Sequence, residues 1–345
     1  MTHPHTATAQ YSGPCPDDLL ARTRSYLNGY DLPMEQGPDW VRMVLPRGTT
    51  TLHATPGGFR LEVAGEDTAF RHQLCEGAIF MIDQVCPEAA PAISWQGLPV
   101  SEGLPPGMHP ARLRRITRLS PHFLRLEMDC PGTAELMEGG MHFTLLLPPE
   151  GRAPVWPALN DKGRTVWPAG ADKLHRAVFT FVQRDPDTGW FSFDLYEHAG
   201  GPSSDWATRA RPGDAVMVSG PGGGTAPSAR HLLMAGDETA LPAIRDILAK
   251  AAPGTTGEVL IETGDPADRL LEEIPEGFRL RWLDRTAGET LAPALAACPL
   301  TEPGLFLWVA GEAAIVREVR QRVQAEGALP RNRHYLAAYW SAPAA

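Results

Sequence analysis

Residues 231–235 form an apolar run that breaks at Gly236, continues as Asp237-Glu238-Thr239 and enters a helical pattern over 241–252. The order is strand, tight turn, helix start. Gly236 lets the backbone turn without a Cβ clash, and Thr239 as N-cap places Pro242 third in the helix, where its missing N–H costs nothing. The turn is then expected to offer open N–H groups to an anion, as α/β sheets do at the carboxyl ends of their strands. The glycine spacing of a dinucleotide fingerprint is absent, so an ordinary βα corner remains the alternative. Further β-type runs at 259–263, 278–283 and 306–310 alternate with helical patterns at 290–297 and 313–326, the rhythm of a parallel sheet. Residues 335–340 read as a final strand or a tail that folds back.

At 345 residues the chain exceeds one small core, and two or three domains are expected. With 43% hydrophobic and 21% charged residues it reads as globular, and no apolar run is long enough to span a bilayer, so stable membrane insertion is not expected. The opening MTHPHTATAQYSGPCP has neither the basic start nor the apolar centre of a secretory signal and reads as a disordered lead-in to a cytoplasmic protein. Five cysteines (Cys15, Cys75, Cys86, Cys130, Cys298), odd in number and without a close pair, argue against a disulfide framework and against a cysteine-held zinc or iron–sulfur centre. A net charge of −10 without a basic run disfavours nucleic acid or an anionic membrane as partner.

The first hundred residues suggest a helix over 16–26, a β-meander at 41–45, 50–54 and 59–63, a helix over 68–86 and a last strand at 92–95. This is an α+β unit large enough to fold alone. His53 and His72 stand without ligand spacing and read as surface or core residues. Residues 97–110, with Pro99, Pro105, Pro106 and Pro110, form the clearest linker. Six β-type runs follow, at 111–118, 123–128, 142–147, 177–183, 190–196 and 215–219, and suggest a closed antiparallel barrel. The Pro- and Gly-rich insertion 148–171 is expected to be a surface loop at the barrel rim.

The string GDETALPAI at 236–244, with WVAGE at 308–312 and GGPSSDWA at 200–207, resembles the siderophore-interacting protein family of flavin-dependent ferric-siderophore reductases, over about residues 107–341. The N-terminal unit resembles a small domain of unknown function sometimes attached to that family. The resemblance implies a ferredoxin-reductase-like plan: an α+β domain over 1–100, a β-barrel binding FAD over 107–224 and an α/β Rossmann-like domain binding NADPH or NADH over 228–345. The family's Arg-x-Tyr-Thr-x-Arg strand corresponds to Ala177-Val178-Phe179-Thr180-Phe181-Val182. Thr180 is retained, Phe179 can stack on a ring without donating a hydrogen bond, and both arginines are missing, with Arg176 one residue away and Arg184 two.

The same resemblance assigns Gly201, Pro202, Ser203 and Ser204 to the flavin diphosphate, with His198 as a donor to flavin or phosphate. Both serines also read as caps for the short helix that follows. It assigns Asp237, Glu238 and Thr239, with Ala310, Gly311 and Glu312, to the nicotinamide cofactor. Glu312 reads equally as a helix cap, and Tyr339 and Trp340 either cover the flavin or pack in the core. The glycines at 220–224 read as an interdomain hinge. No catalytic acid/base pair and no metal ligand set is expected, because the cofactor carries the redox chemistry. The implied reaction is reduction of a ferric siderophore. The alternatives are a flavin-poor relative serving as a binding or accessory protein of iron uptake, and a flavin reductase with another acceptor.

Overall fold

Strands β1 (His5–Ser12), β2 (Met34–Gln36), β3 (Trp40–Leu45), β4 (Gly48–Thr55) and β5 (Gly58–Gly65) form one antiparallel sheet in the order β1-β5-β4-β3-β2. Helices α1 (Leu19–Gly29) and α2 (Thr68–Val85) cover it, and Leu52, Phe59, Leu61, Leu74, Ile82 and Val85 fill the core between. Asp67 caps α2 by accepting the Phe70 N–H at 2.7 Å, a local signal for the helix start. Residues 5–12 thus form a strand where a disordered lead-in was expected. Their apolar members, Ala7 and Ala9, alternate into the core at 2% and 3% exposure, but alanine is too small to announce a strand by hydrophobicity. Residues 92–95 are not a strand either. A 3₁₀ turn (Ala90–Ala92) precedes them, and the sheet gains only the isolated bridge between Thr8 and Gln96.

The computed structural model describes residues 4–30, 32–98, 103–271, 273–327 and 329–342, so Pro99 of the expected linker lies outside the described residues. The chain divides into two units, Met1–Met108 with Val155–Lys173 and His109–Pro154 with Leu174–Ala345. The insertion is therefore not a rim loop of the barrel, because Val155–Lys173 belongs to the first unit. There it makes a two-residue ladder (Ala158–Leu159 with Thr165–Val166), and Leu159 donates to the Gly103 carbonyl at 3.0 Å. The Thr165 hydroxyl lies 2.9 Å from His72 Nε2. His72 is thus a buried, hydrogen-bonded residue of α2, and burial lowers its pKa to about 4.

In the second unit β6 (Met108–Arg118), β7 (Phe123–Asp129), β8 (His142–Leu147), β9 (His175–Asp185), β10 (Trp190–Tyr196) and β11 (Ala215–Gly222) close a barrel in the order β9-β10-β7-β6-β11-β8. Phe143, Phe181, Phe191 and Phe193 fill its interior, with Phe143 and Phe181 centred 4.5 Å apart. Helix α3 (Pro202–Arg209) lies between β10 and β11 in the chain. Beyond the barrel, β12 (His231–Gly236), β13 (Thr256–Thr263), β14 (Phe278–Asp284), β15 (Leu305–Glu312) and β16 (His334–Trp340) form a parallel sheet in the order β14-β13-β12-β15-β16. It carries helices α4 (Leu241–Ala249), α5 (Leu291–Ala296) and α6 (Ala313–Glu326). The central strands β12 and β15 are apolar between their ends because both faces are covered, as parallel sheets require. Among the described residues no helix is long and apolar enough to cross a membrane.

Candidate active site

Two strand–turn–helix corners carry most of the residues singled out above. The first follows β10. Gly200 takes a positive φ of 75°, Gly201 precedes Pro202 at the first helical position, and no side chain caps α3. The first hydrogen bond of the helix runs from Asp205 N–H to the Gly201 carbonyl at 2.9 Å, which leaves the Ser203 and Ser204 N–H groups uncapped. The serine hydroxyls do not cap their own helix, as the sequence reading proposes. Ser204 Oγ accepts the His198 N–H at 3.1 Å, and Ser203 Oγ lies 3.1 Å from His175 Nε2. The His198 ring sits on Gly201, where a Cβ would fall 2.5 Å from it.

The second corner, after β12, is built the opposite way. The N-cap is Asp237, not Thr239: its Oδ1 accepts the Thr239 N–H at 2.9 Å as well as the Thr239 hydroxyl, and its carbonyl accepts the Ala240 N–H at 3.0 Å. A 3₁₀ turn (Glu238–Ala240) then leads into α4. Asp237 and Glu238 are 4% and 2% exposed, so two carboxylates stand where an anion was expected. Glu238 accepts from Gly264 N–H at 2.7 Å, from the Tyr196 hydroxyl at 3.3 Å and from Arg285 at 2.7 and 3.1 Å. Arg285 also donates to Glu262 at 2.6 Å. Burial, and then the neighbouring Glu238, push the Tyr196 phenol up to about 12. Burial also raises the pKa of Asp237, although Trp340 donates its Nε1–H to Asp237 Oδ2 at 2.7 Å.

Gly236 and Gly311 make room for this arrangement. A Cβ on Gly236 would meet Ala240 Cβ at 2.4 Å, and one on Gly311, whose φ is 150°, would meet Asp237 Oδ2 at 2.7 Å. Ala310 is fully buried in the sheet core. Glu312 caps α6, accepting Ala314 N–H, and its second oxygen accepts Ala342 N–H at 3.3 Å. Asp237, Thr239, Gly311 and Trp340 are thus gathered at the carboxyl ends of β12, β15 and β16.

A residue the sequence reading passed over joins this group to the barrel. His142 lies directly opposite Thr180 in the β8–β9 ladder, with Nδ1 3.2 Å from Thr180 Oγ1 and Nε2 3.3 Å from the Tyr339 hydroxyl. Burial lowers its pKa to about 4, so the ring is neutral. Its only sequence signal is a histidine opening the apolar strand His142–Leu147. Tyr339 packs edge-on against His142 and Trp308, whereas Trp340 stays 42% exposed. Phe179 turns towards the barrel interior, its ring 4.7 Å from that of Phe193. Arg184 donates to the carbonyls of Leu136 and Gly140, so it is a barrel tie and not a stand-in for a missing motif arginine. Along β9, His175 at the first corner and Thr180 at the second are five residues apart, roughly 16 Å of strand.

Residues 112–225 match the model of the siderophore-interacting FAD-binding domain, and residues 229–343 match the siderophore-interacting protein model. The chain is 28% identical to the NADPH-dependent ferric-chelate reductase of Escherichia coli, over 66% of this chain and 91% of that protein. It is 34% identical to the mycobactin import ATP-binding/permease protein IrtA of Mycolicibacterium smegmatis, over 50% of this chain, but spans only 21% of that protein's length. The solved siderophore-interacting protein SipS of Aeromonas hydrophila aligns with a TM-score of 0.59 at 28% identity, covering 69% of this chain and 93% of that one. A six-stranded barrel followed by a parallel-sheet domain is the ferredoxin-reductase-like plan expected above.

Proposed function

Because the chain belongs to the siderophore-interacting protein family, we propose that it is an NAD(P)H-dependent, FAD-containing ferric-siderophore reductase that releases iron in the cytoplasm. What supports this most is the spacing of two unlike corners along one strand. An uncapped helix start is open to a diphosphate near His175, and a polar seam between barrel and sheet lies near Thr180. The chain fits the cofactor at the first corner. The N–H groups of Ser203 and Ser204 and the positive-φ Gly200 are the backbone elements an anion needs, and they compensate for the arginines that the 177–182 strand lacks.

Bound FAD supplies the conversion of a two-electron hydride donor into single electrons for ferric iron. The chain's own part is orientation. Ser203, Ser204, Gly201 and Pro202 would hold the diphosphate, with His198 beside it, and Thr180 would border the ring, with Phe179 packed behind it against Phe193. His142, neutral at physiological pH, fixes the Thr180 hydroxyl. Asp237 holds Trp340, and the closed turn of Glu238 and Thr239 would keep phosphate away from the place of the reduced, uncharged nicotinamide ring. Ala310, Gly311 and Glu312 form the floor of that place. The oxygen ligands of a siderophore hold Fe(III) far better than the softer Fe(II), so one electron per iron suffices for release. The divisions proposed are 1–100, 107–224 and 228–345, with Val155–Lys173 going to the first.

Anaerobic titration tests the reading. The purified protein should be yellow, lose its visible bands on addition of NADH or NADPH, and regain them when a ferric siderophore is added, with Fe(II) captured by a ferrous chelator. A colourless protein that takes up no FAD would instead favour the flavin-poor binding or accessory reading, to which the missing strand arginines and the engaged Arg184 point.

A further inference from the structure

In the order β14-β13-β12-β15-β16 the succession of strands reverses between β12 and β15, and a dinucleotide lies across the carboxyl ends of strands at such a point. On one side the way is taken by Trp340 on Asp237 and by Tyr339 on His142 of the barrel. The adenosine half of a pyridine dinucleotide is left the ends of β13 and β14. Glu262 is the penultimate residue of β13, Asp265 follows it, Asp284 ends β14, buried Glu238 accepts the Gly264 N–H, and Asp268, fully buried, is taken up by Ser120 and His122. Against these carboxylates stand Arg285, Arg269 and the His122 ring, whose Nδ1 lies 2.7 Å from Asp268 Oδ2. Arg285 has committed its guanidinium, Nε to Glu262 and both terminal nitrogens to Glu238. Arg269 lies over the Trp282 ring at 5.8 Å and 3.7 Å from Asp284.

A 2′-phosphate brings nearly two negative charges to this rim, whereas a ribose 2′-hydroxyl brings none and donates to a carboxylate. We propose that the carboxylate rim at the ends of β13 and β14 rejects a 2′-phosphate, so that NADH rather than NADPH is the electron donor. The inference rests on the nicotinamide reading above and adds the identity of the donor.

Calorimetric titration of the FAD-loaded protein with 5′-AMP and with 2′,5′-ADP reads the discrimination without turnover. At low salt 5′-AMP should bind roughly tenfold more tightly, and the ratio should narrow as salt screens the rim. The kcat/KM for NADH should exceed that for NADPH by a similar factor. Asp265→Asn and Asp284→Asn, which keep an acceptor for the local turns, should each narrow the ratio, and Arg269→Ala should leave it within about twofold. Equal or tighter binding of 2′,5′-ADP overturns the proposal, above all if Arg269→Ala abolishes it. In that case bleaching by NADPH would still uphold the nicotinamide reading. Binding of neither nucleotide overturns the proposal too, and absence of bleaching by either donor would remove the reading beneath it.

Discussion

The corner at Gly200–Ser204 leaves its backbone donors open, whereas the corner at Gly236–Ala240 fills itself. Both are strand, glycine turn and helix start. At the first, no side chain caps α3 and the serines bond elsewhere, so the positive end of the helix is left without an anion from the chain's own side chains. At the second, Asp237 closes the turn and Glu238 draws in Gly264, Tyr196 and Arg285. A corner of this kind is an anion site only where the chain does not furnish an anion of its own. The difference suits two cofactors, one held by its charged diphosphate and the other by its uncharged reduced nicotinamide ring.

The comparison can be broken most forcefully at Glu238. Glu238→Ala removes both terminal-nitrogen bonds of Arg285, which keeps only Glu262, and the acceptor of the part-buried Gly264 N–H, and should destabilise the protein by about 3 kcal/mol, seen as a fall in Tm. An unchanged Tm would mean that the second corner is not the tie described. Acid comes next. Burial lowers the pKa of His142 and of His72 from 6.5 to about 4, so the unfolded chain binds more protons between these limits. The stability from each ring is therefore complete above pH 6.5 and is lost as pH falls towards 4, by roughly 3 kcal/mol per ring. Tm measured from pH 7 to 4 should fall less steeply in His142→Gln than in the wild type, and parallel curves would contradict this.

Ser203→Asp sharpens the contrast because its two effects have opposite signs. A carboxylate at the uncapped start of α3 should stabilise the FAD-free protein by about 0.5 kcal/mol yet weaken FAD roughly tenfold, read by chemical denaturation and by fluorescence titration. Equal FAD affinity would move the diphosphate elsewhere. Smaller than that tenfold loss of FAD is the effect of Trp340→Phe, which keeps an aromatic ring but removes the 2.7 Å bond to Asp237 and should cost about 1 kcal/mol in thermal denaturation.

Much of the fold is legible in the sequence because its periods are strong. The six barrel runs and the apolar strands of the parallel sheet stand out as alternation and as buried runs. β1 escapes notice because Ala7 and Ala9 carry little hydrophobic signal, and the place of Val155–Lys173 escapes because long-range packing leaves no local mark. The site is legible as corners but not as chemistry. Asp237, two residues before Thr239, wins the cap because its carboxylate reaches the Thr239 N–H, and a sequence pattern does not say which of two good caps closes a turn. His142 is invisible for a different reason. Its position opposite Thr180 is a matter of β8–β9 register, across a separation of 38 residues.

The central claim, that the open corner holds a diphosphate while the closed one does not, is tested most directly by titrating the cofactor-free protein with FAD and with FMN and following flavin fluorescence. FMN has the ring but neither the diphosphate nor the adenosine. The account predicts saturable FAD binding and FMN binding weaker by roughly tenfold or more. Equal affinities, or no binding of FAD at all, would contradict it.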